Sequence, residues 1–210
     1  MAKKKKRKLK KSVKVLIILF VVVLIAGVIF IFKPFHKSEE VKKVKVEDSL
    51  EKYGYVLNEN ETAYYKDLFK QLKSVLNKDD VDEEEYATLV GKLFLADFYN
   101  LDNKITKNDI GGVQFVYEPY RTDFSKFAVE SIYHYVENSL YEKRDQELPE
   151  VTSVEISNIE QVPFDYQEQT DEKAWTFHYV ITYKKDLGYQ EEGTMTLVHN
   201  DNRLEIVDLK

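Results

Sequence analysis

Cysteine is absent from all 210 residues, which excludes a disulfide framework, a thiolate metal site, a catalytic thiol and a lipidated cysteine anchor. No Walker loop, nucleophile elbow or Gly-x-Gly-x-x-Gly pattern occurs, and Gly111-Gly112 reads as a bare turn. Acids are missing from residues 1–14, which hold nine Lys/Arg. With a formal net charge of −6, the rest of the chain therefore carries −15. A basic block on an acidic body is unlike a nucleic-acid reader, whose positive charge sits on the folded domain, so no nucleic-acid partner is expected.

Charge is also missing from Val15 to Phe32, 18 consecutive residues without a strong hydrogen-bonding side chain. At about 1.5 Å per residue the run is roughly 27 Å long as a helix, close to the hydrocarbon thickness of a bilayer. Pro34 stops it. A cleaved signal peptide would have a shorter apolar region followed by a small-x-small site, whereas Ala26 and Gly27 lead without a break into Val28–Phe32. The expectation is an uncleaved single-pass anchor. Nine Lys/Arg precede it and only Lys33 and Lys37 closely follow, so residues 1–14 are expected in the cytoplasm and the remainder outside it. The bilayer is the first expected partner.

Residues 33–58 mix charges with scattered valines (Val41, Val44, Val46) and read as a stalk. Residues 59–210 read as one extracytoplasmic α+β domain of about three helices on an antiparallel sheet of about four strands. Tyr65, Leu68, Phe69, Leu72, Val75 and Leu76 share one helical face between Thr62 and Asn77. Asp80 with Glu83 forms a capping-box pattern before a second helix bearing Tyr86, Val90, Leu93, Phe94 and Phe98, ending near Leu101. After a loose stretch, Thr122 or Asp123 is expected to cap a third helix with Phe124, Phe127, Ala128, Ser131, Ile132, Tyr135 and Val136 along one side.

Beyond Pro149 the period becomes 2. Val154 and Ile156 mark one strand, and Trp175, Phe177, Tyr179, Ile181 and Tyr183 a second. Glu191–His199 and Arg203–Leu209 complete the set around an Asn200-Asp201-Asn202 turn.

This element order over residues 60–210, closing on GTMTLVHNDNRLEIVDL, resembles the cone-shaped domains of the nuclear-transport-factor-like (cystatin-like cone) superfamily. With a basic tail and an anchor, the layout resembles the inner-membrane scaffold subunits of type IV secretion and conjugation machines. The resemblance implies a cone with a curved sheet and a scaffolding role in a bacterial envelope assembly, and it carries over no functional residue. Cone domains of cell-wall proteins and surface lipoproteins share the layout. The alternative is therefore a cone that binds or processes a small molecule or cell-wall component.

Candidate chemistry is sparse. The acids Asp79, Asp80, Asp82, Glu83, Glu84 and Glu85 place Glu85 where a calcium loop needs glycine. His134 has Glu130 and Glu137 at helical offsets but no second ligand pair. His178 and His199 are candidate general bases without an evident enclosed pocket. No catalytic residue, metal or cofactor is expected, and the reading is a non-enzymatic scaffold.

Fifteen tyrosines are the remaining signal. Tyr117, Tyr120, Tyr133 and Tyr141 fall off the apolar stripes, and tyrosine is enriched at binding surfaces. On the second long strand Thr176, His178 and Thr182 point away from the aromatic side, joined by Thr194 and Thr196 on the next. These nine residues form the candidate surface for other envelope proteins or for self-association.

Overall fold

The computed structural model describes residues 45–140 and 144–210. The expected basic tail, the anchor Val15–Phe32, the first part of the stalk and Tyr141 lie outside the described residues. Among the described residues, no helix is long and apolar enough to cross a membrane.

The architecture is α+β. A two-stranded hairpin, β1 (Val46–Leu50) and β2 (Tyr55–Asn58), precedes α1 (Ala63–Leu76) and α2 (Glu83–Phe98). Two 3-10 turns, Val113–Phe115 and Glu118–Tyr120, lead into α3 (Arg121–Glu130). The chain ends in an antiparallel meander of β3 (Val151–Tyr166), β4 (Gln169–Tyr183), β5 (Glu192–Asn200) and β6 (Arg203–Leu209), paired in that order.

Residues 46–58 are not stalk. Leu50, Tyr53, Tyr55 and Leu57 are buried in the main core, and the Tyr55 hydroxyl lies 2.7 Å from that of Tyr86 on α2. The strands are only 5 and 4 residues long, and Gly54 at φ +66° makes the turn that lets them pair.

Thr62 caps α1 by accepting a hydrogen bond from Tyr65 N, and the expected apolar stripe is the buried face. Asp82, not Asp80, caps α2, accepting from Glu85 N at 3.1 Å. This frees Glu83, Glu84 and Glu85 to occupy the first turn, where the helix dipole favours them. From Tyr86 onward nearly every residue of α2 is buried, because α1 packs on one side and the sheet on another. Gly91 faces the Phe177 ring of β4 so closely that a methyl group there would collide with it.

The third helix is shorter than its spacing suggests. It ends at Glu130, and the chain coils back so that Tyr133 N bonds Ala128 O. The Phe124 ring still packs at a tilt against those of Phe94 and Phe98, and Ala128 and Val136 are buried. Phe127 and Tyr135, expected inside, are 72% and 77% exposed. Burial of Tyr133 breaks the helical phase between those residues.

The β3–β4 hairpin is far longer than the Val154–Ile156 signal. Its ladder runs from Val151↔Tyr183 to Tyr166↔Gln169, with a register shift at Val151/Ser153 near its base and two further ones at Ser157/Glu160 and Val162/Phe164. Asn158 at φ +52° lies within the Ser157/Glu160 shift, and Pro163 lies within the Val162/Phe164 shift on an edge strand, where a missing donor is tolerated. β4 sends Trp175, Phe177, Tyr179 and Ile181 into the core, as their alternation predicts.

Candidate interaction surface

The sheet has a second face, opposite α2. Register places Ser157, His178 and Thr194 in one row across β3, β4 and β5, and Glu155, Val180 and Glu192 in the next. Thr182 and Thr194 are exposed, Thr176 and His178 are half-buried, and Val180 is 37% exposed. His178 Nε2 lies 3.8 Å from Glu192 Oε2. With Glu155 and Glu192 in the row beside it, this face is polar and acidic, and its complement is a surface of hydroxyl, amide and basic groups.

The candidates do not all reach this face. Thr196 is buried, flanked by Thr176 on β4 and Asp208 on β6. Tyr117 is buried as well, because the far end of the same sheet face is covered. Its ring meets those of Tyr120 and Tyr166 at 5.2 and 5.3 Å, and Ala174 and Val198 complete a small second core. Beside it Glu205 is buried but paired, 2.8 Å from Arg121 Nη2 and 2.7 Å from Asn200 Nδ2. Tyr120 is half-buried.

Tyr133 has an interior task. Its hydroxyl accepts from Gly111 N at 3.0 Å and donates to Phe98 O at 2.7 Å. Asp97 holds the adjoining loop: Oδ2 accepts from Gly112 N at 2.7 Å, and Oδ1 pairs with the buried ammonium of Lys104. Burial works against the Lys104 charge, but the Asp97 carboxylate outweighs it and raises the pKa above the ordinary lysine value. Burial, reinforced by the nearby Asp97 charge, pushes the Glu61 carboxyl up to about 7. Off-stripe tyrosine is thus a signal for buried hydroxyls here as much as for contact area.

Of the histidines, His134 is exposed and stacks edge-on against Tyr135 at 4.7 Å. Because α3 stops at Glu130, the Glu130, His134 and Glu137 offsets no longer describe one helix face. His199, whose surroundings were not evident from its strand-end position, lies between two carboxylates: Nδ1 is 2.8 Å from Asp171 Oδ2 and Nε2 is 3.0 Å from Glu83 Oε1. These partners are 28 and 116 residues away in sequence, so no local motif announces them.

Two surface cavities flank α3. One, about 420 Å³, is lined by Asn108, Ile110, Val113, Ser125, Lys126, Val129 and Glu130. The other, about 230 Å³, lies beside β6 and is lined by Val116, Tyr120, Phe124, Ile206, Val207 and Leu209 among others. Neither contains a histidine or a nucleophile paired with a base.

No family model, curated protein or solved structure matches the chain.

Proposed function

We propose that this chain is a membrane-anchored extracytoplasmic interaction domain, the scaffold subunit of a bacterial envelope assembly of the conjugation or type IV secretion kind. In this reading Val15–Phe32 is the anchor, residues 1–14 remain cytoplasmic, and the cone-like domain meets other envelope proteins or a second copy of itself. The observation that carries it is the contrast between the two sheet faces. The α2 side is filled by Phe177, Tyr179 and Ile181, leaving no room for a ligand against them, while the Thr194–His178–Val180 side is open and polar. A filled interior with a free outer face suits docking better than catalysis.

Crosslinking mass spectrometry of complexes pulled down from native membranes tests the reading. Crosslinks should concentrate at β4 and β5, and Val180→Arg with Thr194→Arg should remove them while leaving the melting temperature within a few degrees of the parent. Crosslinks that survive the double change would place the contact elsewhere. The alternative, a cone that binds a small molecule or cell-wall fragment, has the 420 Å³ cavity in its favour. It predicts protection of Val113 and Val129 by muropeptides and no effect of the double change.

A further inference from the structure

The β4–β5 ladder ends at Trp175↔Leu197, yet β4 begins at Gln169 and β3 runs to Tyr166. The outer half of the hairpin, residues 160–174, therefore keeps its own β3–β4 ladder but has no backbone pairing to β5. Side chains hold it. On one face Tyr166 packs on Tyr117, and Gln169 Nε2 donates to the Tyr117 hydroxyl at 2.9 Å. On the other, Asp171 Oδ2 accepts from both the backbone N–H of His199 at 2.7 Å and its Nδ1 at 2.8 Å.

The imidazole does more than meet Asp171. Its Nε2 faces Glu83 in the first turn of α2, so each ring nitrogen points at a carboxylate. A neutral imidazole has one N–H and one lone pair, and a lone pair facing a carboxylate repels it. Only the imidazolium donates to both. The charged groups facing the ring are Asp171 from β4 and Glu83 from α2. From β3 the neutral Gln161 amide approaches Glu83 at 3.5 Å, and β6 pairs opposite through Leu204.

We infer that the outer half of the β3–β4 hairpin is a pH-latched arm: protonated His199 bridges Asp171 on the arm to Glu83 at the N-terminus of α2, and loss of that proton breaks the bridge and loosens the arm over Tyr117 and Val198. Burial alone would lower the His199 pKa, but the bonds to Asp171 and Glu83 outweigh it and hold it above 6.5. Because the folded value is the higher one, the latch is at full strength below about 6.5 and weakens as pH rises through the folded pKa. Asp171 is depressed below 3.8: burial raises it, and the bonds from His199 and Lys173 more than offset that. Its share is lost only in strong acid. The bistable element is the arm and its bias is one proton.

Hydrogen exchange on the full chain in detergent micelles, corrected for the intrinsic pH dependence of exchange, reads the arm directly. Peptides covering residues 160–174 should lose protection at least tenfold between pH 6 and pH 8.5, while α2 peptides keep theirs. His199→Gln should leave the arm equally open at both pH values, and His178→Gln should retain the parental response. Glu83→Gln, at a half-exposed position outside the core, should move the midpoint to lower pH. A parental arm with pH-independent protection would overturn the latch, as would a His199→Gln arm that still responds. Should His199→Gln fail to fold, an unchanged midpoint in Glu83→Gln overturns it on its own.

Discussion

Lys104 is 3% exposed along its side chain and carries a full charge beside Asp97. Such a pair adds little against an apolar substitute of the same volume, but removing one partner strands the other. Asp97→Ala is expected to cost about 3–5 kcal/mol, read by denaturant unfolding, whereas Asp97→Leu with Lys104→Met should cost distinctly less. Equal losses would mean the pair does more than hold Gly111-Gly112 in place. Glu61 acts in the opposite sense. Its carboxyl titrates near 7 in the fold and near 4.5 when unfolded, so the folded state binds the extra proton and stability falls as pH rises between those values. Glu61→Gln should therefore be close to neutral at pH 4 and stabilising at pH 8. A variant whose advantage does not grow with pH would place Glu61 in better contact with water than its burial indicates.

At the level of elements, α1, α2 and the inward alternation of β4 were legible because their periods run unbroken over many residues, as in Trp175, Phe177, Tyr179 and Ile181. Three features lack such an unbroken period. The β1–β2 hairpin carries its signal in Tyr53, Tyr55 and Leu57 at period 2, but these lie among charges and near Val46, which is 50% exposed. The outer β3–β4 hairpin is mostly polar, since its support comes from cross-strand pairing and from Tyr117, contributed from far upstream. The end of α3 was hidden because Tyr133 is drawn inward by Gly111 and Phe98, a tertiary demand invisible in local spacing. Of the candidate surface, the outward threonines of β4 follow from alternation alone, whereas Tyr117 and Tyr133 required knowledge of what each hydroxyl meets. The α2–β4 contact gives a direct test. Gly91→Ala adds helix propensity yet drives a methyl into the Phe177 ring, so a net loss of about 1–3 kcal/mol is expected. A gain in melting temperature would show that the ring moves aside freely.

For the whole molecule the proposed topology places residues 1–14 in the cytoplasm and the folded domain outside it. Nine Lys/Arg and no acid precede the 18-residue apolar run, against Lys33 and Lys37 just after it, and cationic loops stay on the cytoplasmic side. The absence of cysteine makes the test clean, because a single introduced thiol is the only one in the chain. Thr182 is exposed on the open sheet face, so Thr182→Cys should fold normally. In intact cells a membrane-impermeant maleimide should label Thr182→Cys and leave Lys5→Cys unlabelled until the cells are broken. The reverse pattern would turn the chain around and place the acidic face in the cytoplasm, which removes the envelope-assembly reading altogether. Equal labelling of both positions in intact cells would mean no bilayer separates them, and Val15–Phe32 would then have to be explained as something other than an anchor.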